Sequence, residues 1–172
     1  MTADEYFNDH LPHRVNLLTT FRDRYSPKAA EIPGRPKPGF DQPRDFFRCS
    51  KDVSMMMVRF FCDEMGLYLP KGEPDIKSGT AKNPTFKIKP FTESEAKTDP
   101  EKHRKLLIVL KAANRAVAHV NPTDVDHPIK TQKDHEILFE TIDWIEELIQ
   151  THMYDPNDKF LKDAMKLPNN VM

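Results

Sequence analysis

Fourteen of the fifteen prolines in this chain fall in clusters or in a pair, and each of these groups marks a place where no helix can run uninterrupted. The other, Pro12, lies in the first turn of the first predicted helix, where proline is tolerated. The clusters lie at 27–43, 70–100 and 122–128, with a last pair at 156 and 168. Proline lacks an amide donor and fixes φ, so it is excluded from helix interiors. The stretches between the clusters carry apolar residues at helical spacing. They predict four main helices and a short C-terminal one, at about 11–25, 43–65, 99–120, 131–154 and 157–166.

Residues that cap or stop helices stand at the ends of these stretches. Asp41 precedes the second stretch as a predicted N-cap, and Asp99 precedes the third. Gly66 follows the second stretch, where a glycine commonly ends a helix. Thr131 to Asp134 can supply the cap of the fourth. The capping residues and the spacing of the apolar residues thus predict the same helix ends.

The predicted helices differ in how their apolar residues are arranged. In the second helix a broad apolar face is predicted to meet the core, with the charged residues opposite; it comprises Phe46, Cys49, Val53, Met56, Met57, Phe60 and Phe61. The third helix is apolar nearly all the way round, so it is either central or in contact with another subunit. The fourth has one clean stripe, formed by Ile137, Leu138, Ile142, Ile145, Leu148 and Ile149.

Residues 67–99 are polar and rich in proline, and they predict a long loop. Within them, residues 85–89 alternate apolar with polar side chains, which predicts a short exposed strand. Four helices with long proline-rich connections favour an all-α four-helix bundle, with room for one short strand or hairpin in 67–99. We expect a single domain spanning 1–172.

Charge and cysteine content restrict the environment and the partners. The formal net charge is −1, so no overall field favours nucleic acid or membrane. The N-terminus lacks an apolar signal core and no apolar run is long enough to span a membrane, which predicts a cytoplasmic protein. Cys49 and Cys62 lie about 20 Å apart on one helix, beyond disulfide reach. They are interpreted as small buried hydrophobes, with an intermolecular bridge left open.

Four polar side chains lie on the otherwise apolar third helix, and this group, which we call the polar seam, is the principal candidate site. It consists of Lys111, Asn114, Arg115 and His119, with alanines between them. Arg115 and His119 are i,i+4 neighbours and share a face. An arginine can hold phosphate oxygens, and a histidine can transfer a proton near neutral pH. The alternative is that both are solvated, with His119 complementing the helix dipole.

A four-helix bundle with an Arg…His pair near the end of its third main helix resembles the HEPN superfamily of nucleotide-binding domains. The resemblance implies a homodimer whose paired motifs line one cleft, often with metal-independent endoribonuclease activity on RNA. It would assign phosphate binding to Arg115, acid–base chemistry to His119 and orientation of the site to Asn114. The family pattern has four to six residues between Arg and His, whereas three separate them here.

Three further groups of residues have two interpretations each. Met55 to Met57 with Phe60 and Phe61 indicate core packing more than a pliable binding surface. Lysines 82, 87 and 89, interleaved with aromatics, indicate a solvated loop more than a single-strand platform. Trp144 is predicted to pack at a helix boundary, with a dimer interface as the second possibility.

No motif for a nucleotide loop, a serine nucleophile, a paired-cysteine site or a di-iron site occurs in the sequence. We therefore expect no cofactor and no metal, and the sequence leaves open whether the chain is an enzyme. Two functions remain as hypotheses. The first is a homodimeric helical domain that binds a partner or nucleic acid. The second is a HEPN-like ribonuclease or RNA-binding domain that uses Arg115 and His119, with Lys111 assisting binding.

Overall fold

Four long helices dominate the computed structural model, which describes residues 1–31, 44–81, 86–118 and 129–160. In chain order the α-helices are α1 (Ala3–Glu5), α2 (Leu11–Tyr25), α3 (Arg44–Glu64), α4 (Glu93–Ala96), α5 (Pro100–Ala118) and α6 (Gln132–Ile149). Two short strands, β1 (Leu67–Tyr68) and β2 (Lys77–Ser78), pair as an antiparallel hairpin. The fold is all-α with one small hairpin, as the sequence predicts.

Helix ends follow the predicted caps wherever the structure describes them. Thr131 accepts a hydrogen bond from the amide of Asp134, and the Asp134 carboxylate in turn accepts one from the amide of Thr131. Asp99 Oδ1 accepts from the amides of Glu101 and Lys102, both at 3.0 Å. These contacts satisfy amide groups that the first helical turn leaves unpaired. The predicted Asp41 cap lies outside the described residues.

Single turns of other helix types extend the ends of the bundle. The π-helical turn Tyr6–His10 leads into α2, and the π-helical turn Gln150–Tyr154 continues α6. Short 3₁₀ segments follow α2 at Pro27–Glu31 and follow the second π turn at Asp155–Phe160. The predicted C-terminal helix is therefore a 3₁₀ segment as far as residue 160, and 161–166 lie outside the described residues.

The four long helices pack as a ring. Helix α3 packs against α2, α5 and α6, and α6 also packs against α2 and α5. Ring and hydrogen-bond contacts join Phe21 to the first half of α3, while Arg14 lies over Phe60 near its end, so α2 and α3 are antiparallel. Lys102 bonds to Glu147 and Lys105 to Glu140, so α5 and α6 are antiparallel as well.

Helix α5 is buried on one side within the chain. Leu106, Val109, Leu110, Ala112 and Ala113 are buried, and the helix packs against α3, α4 and α6. Leu107 and Ile108 are half-buried. The predicted alternative of a second subunit on this helix stays a prediction.

The core face predicted for α3 is wrong in part: Phe61 is buried and Met57 and Phe60 pack against the core, but three other members are at the surface. Phe46 and Met56 are exposed over 38 % and 43 % of their surface, and Cys49 is also exposed. The buried face is rotated about the helix axis by roughly 120° from the predicted one. It comprises Ser50, Lys51, Ser54, Met55, Val58, Phe61, Cys62 and Met65.

Polar residues on the buried face of α3 explain the error. Lys51 is buried, yet its Nζ donates to the carbonyl of Ile129 at 2.9 Å. Ser54 is fully buried and donates to the carbonyl of Leu17 at 3.3 Å. A buried polar group is tolerated when it is hydrogen-bonded. Hydrophobic periodicity assigns such residues to solvent, so it selects the wrong face. Of the three methionines, Met55 is buried and Met57 packs partly against the core.

Residues 86–89, the described part of the predicted strand 85–89, do not form a strand, although the predicted alternation is present. Phe86 and Ile88 are buried, while Lys87 and Lys89 are exposed. The amide of Lys89 donates to the carbonyl of His152 at 2.8 Å, and Asn157 donates to the carbonyl of Lys87 at 3.1 Å. These hydrogen bonds attach the segment to the π-helical turn and the 3₁₀ segment that follow α6.

Other described residues of the 67–99 region also contact the helices of the bundle. Phe91 is buried against Trp144 with ring centroids 5.6 Å apart, so Trp144 packs inside the chain. Asp75 pairs with Lys97 at 2.7 Å and with His103 of α5 at 2.8 Å. The hydrogen bond from Lys97, with a further one from His103, lowers the pKa of Asp75 to about 2. These contacts fix the hairpin against α3 and α5.

In the described part of the chain, no helix combines the length and apolar character required to cross a membrane.

Candidate functional site

The predicted polar seam on α5 is divided between two environments. Lys111 and Arg115 are exposed, while Asn114 is half-buried and lines a pocket. His119 lies outside the described residues, so the predicted pairing of Arg115 with His119 is not placed. Of the four predicted site residues, Asn114 is the one that the structure brings together with other polar groups.

A pocket of about 490 Å³ lies between the C-terminal half of α3, the hairpin and α5. Arg59 and Asp63 reach it from α3, Tyr68 from β1, and Asn114 from α5. Leu69 and Leu110 contribute apolar side chains to the wall of the pocket. A small-molecule site typically has this size and combines apolar wall with a few converging polar groups.

Two glycines allow the hairpin to approach the end of α3 closely. Gly66 has φ +83°, and its carbonyl accepts a hydrogen bond from the amide of Gly79 at 2.6 Å. A Cβ at Gly66 would lie 2.8 Å from the carbonyl oxygen of Gly79, so no side chain fits. At Gly79 a Cβ would lie 3.2 Å from the ring of Tyr68. The glycines therefore set the depth of the pocket on its hairpin side.

Sequence reasoning missed Arg59, Asp63 and Tyr68 as site residues. Arg59 and Asp63 are i,i+4 neighbours on α3 and fall on the face that periodicity assigns to solvent. Tyr68 reaches them only because the hairpin folds back on α3. The sequence shows the polar pair at helical spacing, but no local signal indicates what covers it.

A second surface, which we call the α3 stripe, faces outward on the edge between α2 and α3. It consists of Phe46, Cys49, Val53, Met56 and Phe60, at alternating spacings of three and four residues. Cys49, Met56 and Phe46 are exposed, and Val53 and Phe60 are half-buried. This spacing is the one that forms the seam between two packed helices.

An arginine from α2 covers each end of the α3 stripe. The guanidinium carbon of Arg24 lies 4.9 Å from the ring centroid of Phe46, and that of Arg14 lies 4.5 Å from the ring centroid of Phe60. Cation–π contacts of this length hold aromatic rings in place at a surface. The stripe is therefore bounded by an arginine-covered phenylalanine at both ends, with smaller side chains between.

The two cysteines of α3 differ in reactivity. Cys62 is fully buried, and burial raises the pKa of its thiol well above the ordinary range. Cys49 is exposed on the α3 stripe, contrary to its prediction as a buried residue. A thiol reacts as the thiolate and must be accessible, so chemistry at cysteine is restricted to Cys49.

Across residues 1–31, 44–81, 86–118 and 129–160, no three His, Cys, Asp or Glu side chains are close enough together to hold a metal ion. Comparison with models of protein families, with curated proteins and with solved structures found no match for this chain.

Proposed function

We propose that this protein is a binding domain that works as a homodimer, with the α3 stripes of two copies packed against each other. The observation that carries this proposal is the exposure of the α3 stripe. Phe46 and Met56 expose 38 % and 43 % of their surface on a helix whose other face is buried. Contiguous apolar surface of this kind marks an interaction site more often than a bare monomer surface.

A second copy fits the α3 stripe because the stripe is nearly the same read from either end. A two-fold interface requires a patch that is complementary to itself. Two antiparallel α3 helices would place the Phe46 end of one copy near the Phe60 end of the other, with Val53 and Met56 at the centre. The formal net charge of −1 produces little repulsion between copies.

This proposal moves the predicted dimer from α5 to α3. Of the apolar residues of α5 that suggested a second subunit, Leu106, Val109, Leu110, Ala112 and Ala113 are buried inside the chain. The ribonuclease hypothesis stays a prediction, since it requires His119 and that residue lies outside the described part. The exposure of Arg115 is compatible with contact to RNA.

Replacing Met56 with glutamate should convert the dimer to monomer. Two carboxylates would be placed near the two-fold axis without partners, and removing a charge from water is unfavourable. We expect the dimer dissociation constant to rise at least about a hundredfold, measured by sedimentation equilibrium. Gln132→Glu makes the same charge change at an exposed position on α6 and should leave the dimer intact. A wild-type protein that is monomeric at high concentration would contradict the proposal.

Disulfide trapping should distinguish the antiparallel arrangement from a parallel one. In the antiparallel pairing the two Cys49 residues are about 12–16 Å apart along the helices, so wild type should not crosslink under mild oxidation. Val53→Cys, combined with Cys49→Ser, places the thiol near the two-fold axis and should crosslink readily. Non-reducing electrophoresis checks this result. Efficient crosslinking through Cys49 would rule out the antiparallel pairing.

A further inference from the structure

The pocket between α3, the hairpin and α5 contains an arginine whose charge is available to a ligand. Arg59 is half-buried, and within the described part of the chain no hydrogen bond or ion pair reaches its guanidinium. Arg22 is also half-buried, but its guanidinium contacts three carboxylates. A charge that is partly removed from water favours a partner of opposite sign. An anionic ligand in the pocket would supply that partner to Arg59.

The other polar side chains of the pocket favour an anion that carries a single charge. Arg59 is the one basic residue among the described lining residues. Asp63 lies in the same wall and already has a partner of its own, and its charge would repel a dianion. Asn114 is half-buried, and none of the described residues hydrogen-bonds to its carboxamide. A carboxylate has two acceptor oxygens and one charge, so it can bind both Arg59 and Asn114.

The apolar part of the wall favours a planar ring beside the carboxylate. Tyr68 lines the pocket and is exposed over 42 % of its surface, so part of its ring is accessible to a ligand. Leu69 and Leu110 contribute aliphatic side chains. An aromatic ligand gains contact energy from stacking on tyrosine and from packing against leucine. The volume of about 490 Å³ has room for a small fused ring system.

We propose that this pocket binds a monocarboxylate with a planar aromatic body, a role independent of the α3 stripe. Arg59 holds the carboxylate with two parallel hydrogen bonds, the arrangement for which a guanidinium is best suited. The Asn114 carboxamide donates a further hydrogen bond to the same group. Tyr68 stacks on the aromatic ring. Both a free aromatic acid and the C-terminus of a peptide that ends in an aromatic residue have this chemistry.

Titration with indole-3-acetate, followed by the amide chemical shifts of the full chain, tests this proposal. The acid should bind with a dissociation constant at or below about 1 mM and should shift the amides of Tyr68, Thr80 and Asn114. Indole-3-acetamide has nearly the same shape without the charge, and it should bind at least about tenfold more weakly. Cyclohexylacetate keeps the charge but has no aromatic ring, and it should bind about three- to tenfold more weakly.

Variants of the two polar residues assign the carboxylate to its place in the pocket. Arg59→Gln should weaken binding of indole-3-acetate by about ten- to a hundredfold. It should leave binding of indole-3-acetamide nearly unchanged, which shows that the pocket itself is intact. Asn114→Asp is nearly isosteric and should weaken binding of the acid at least about tenfold, because a second carboxylate then faces the ligand. The control is Arg104→Gln on α5, at an exposed position about 15 Å along the helix from Asn114.

A second arm identifies the source of the carboxylate. An acetylated tripeptide that ends in tryptophan and binds at least about tenfold more tightly than indole-3-acetate assigns the pocket to a peptide C-terminus. Equal or weaker binding of the peptide assigns it to a free acid. The proposal is overturned if neither ligand binds at millimolar concentration, or if indole-3-acetamide or cyclohexylacetate binds as tightly as indole-3-acetate. Equal binding of the acid by Arg59→Gln and Arg104→Gln would overturn it as well.

Discussion

Arg22→Met should lower the free energy of unfolding by about 2–3 kcal/mol, because its partly buried ion pairs lie between exposed pairs, worth about 0–1 kcal/mol, and buried pairs, whose breaking costs about 3–5 kcal/mol. Arg22 joins α2 to α6: its Nη1 donates to Asp143 Oδ1 at 2.7 Å and to the carboxylate of Glu146. It also contacts Asp23 at 2.9 Å. The side chains of Arg22 and Glu146 are 19 % and 24 % exposed. Methionine would fill most of the space but leave Glu146 half-buried without its cation.

The effect of Arg22→Met should depend on pH. Burial raises the pKa of Glu146, with further contributions from Asp23 and Asp143, even though Arg22 opposes the shift. An acid whose pKa is raised by folding destabilises the folded state as pH rises from its unfolded pKa through its folded pKa. Below the unfolded pKa it has no effect on the free energy of unfolding. Without Arg22 the pKa of Glu146 rises further. The difference from wild type should therefore be largest near pH 7 and shrink as pH falls toward about 4.

Urea unfolding at the two pH values measures both parts of this prediction. The matched control is Arg104→Met, because Arg104 pairs with Glu101 on the surface of α5 where both side chains are more than half exposed. An exposed pair of this kind contributes about 0–1 kcal/mol. The double variant Arg22→Met with Glu146→Gln should recover part of the loss, since the unpaired charge is gone. Equal losses in Arg22→Met and Arg104→Met would show that the cluster has no special role.

The positions of the helices were predictable because their end signals are local. Thr131 and Asp99 form the caps that their residue types predict, and Gly66 ends α3 in the left-handed conformation that favours glycine. Proline positions exclude helix by covalent geometry, whatever surrounds them. Such signals operate within about four residues, so a single sequence contains all the information they need.

The face that a helix buries is a property of its neighbours, and there the sequence was misleading. Helix α3 carries Phe46, Cys49, Val53, Met56 and Phe60 along one stripe, and the fold leaves this stripe exposed or half-buried. Its buried face includes Lys51 and Ser54, each hydrogen-bonded to a backbone carbonyl of another segment. Those carbonyls are 78 and 37 residues away in the chain, beyond any local pattern.

The candidate pocket was predictable in one residue only. Asn114 is a carboxamide among the alanines and other apolar residues of α5, so the sequence alone identified it as a candidate site residue. Arg59 and Asp63 have the pattern of ordinary solvated charges. Their proximity to Tyr68 depends on the hairpin, whose strands Leu67–Tyr68 and Lys77–Ser78 are too short to produce an alternation pattern. The long-range fold, and not the local sequence, assembles this site.

Gly66→Ala should lower the free energy of unfolding by about 2–5 kcal/mol, the sum of a backbone effect and a crowding effect. The backbone at Gly66 has φ +83°, where a residue with a Cβ is disfavoured by about 1–2 kcal/mol. The new methyl group would also lie 2.8 Å from the Gly79 carbonyl oxygen and 3.0 Å from the Ala81 nitrogen. Both atoms are backbone, so they cannot move aside as a flexible side chain would, and crowding adds about 1–3 kcal/mol.

Gly72→Ala is the matched control for this prediction, because Gly72 has the same φ of +83° and no atom lies within 4 Å of the place its methyl group would occupy. It should show the backbone effect without the crowding, a loss of about 1–2 kcal/mol. Thermal unfolding should separate the two variants by several degrees, at about 2–4 °C per kcal/mol for a domain of this size. Equal losses would mean that the hairpin moves away from α3 without difficulty. In that case the wall formed by Gly79 and Tyr68 would not be rigid. A larger loss at Gly66 than at Gly72 is the result expected if the close approach of Gly79 to Gly66 holds the hairpin against the end of α3.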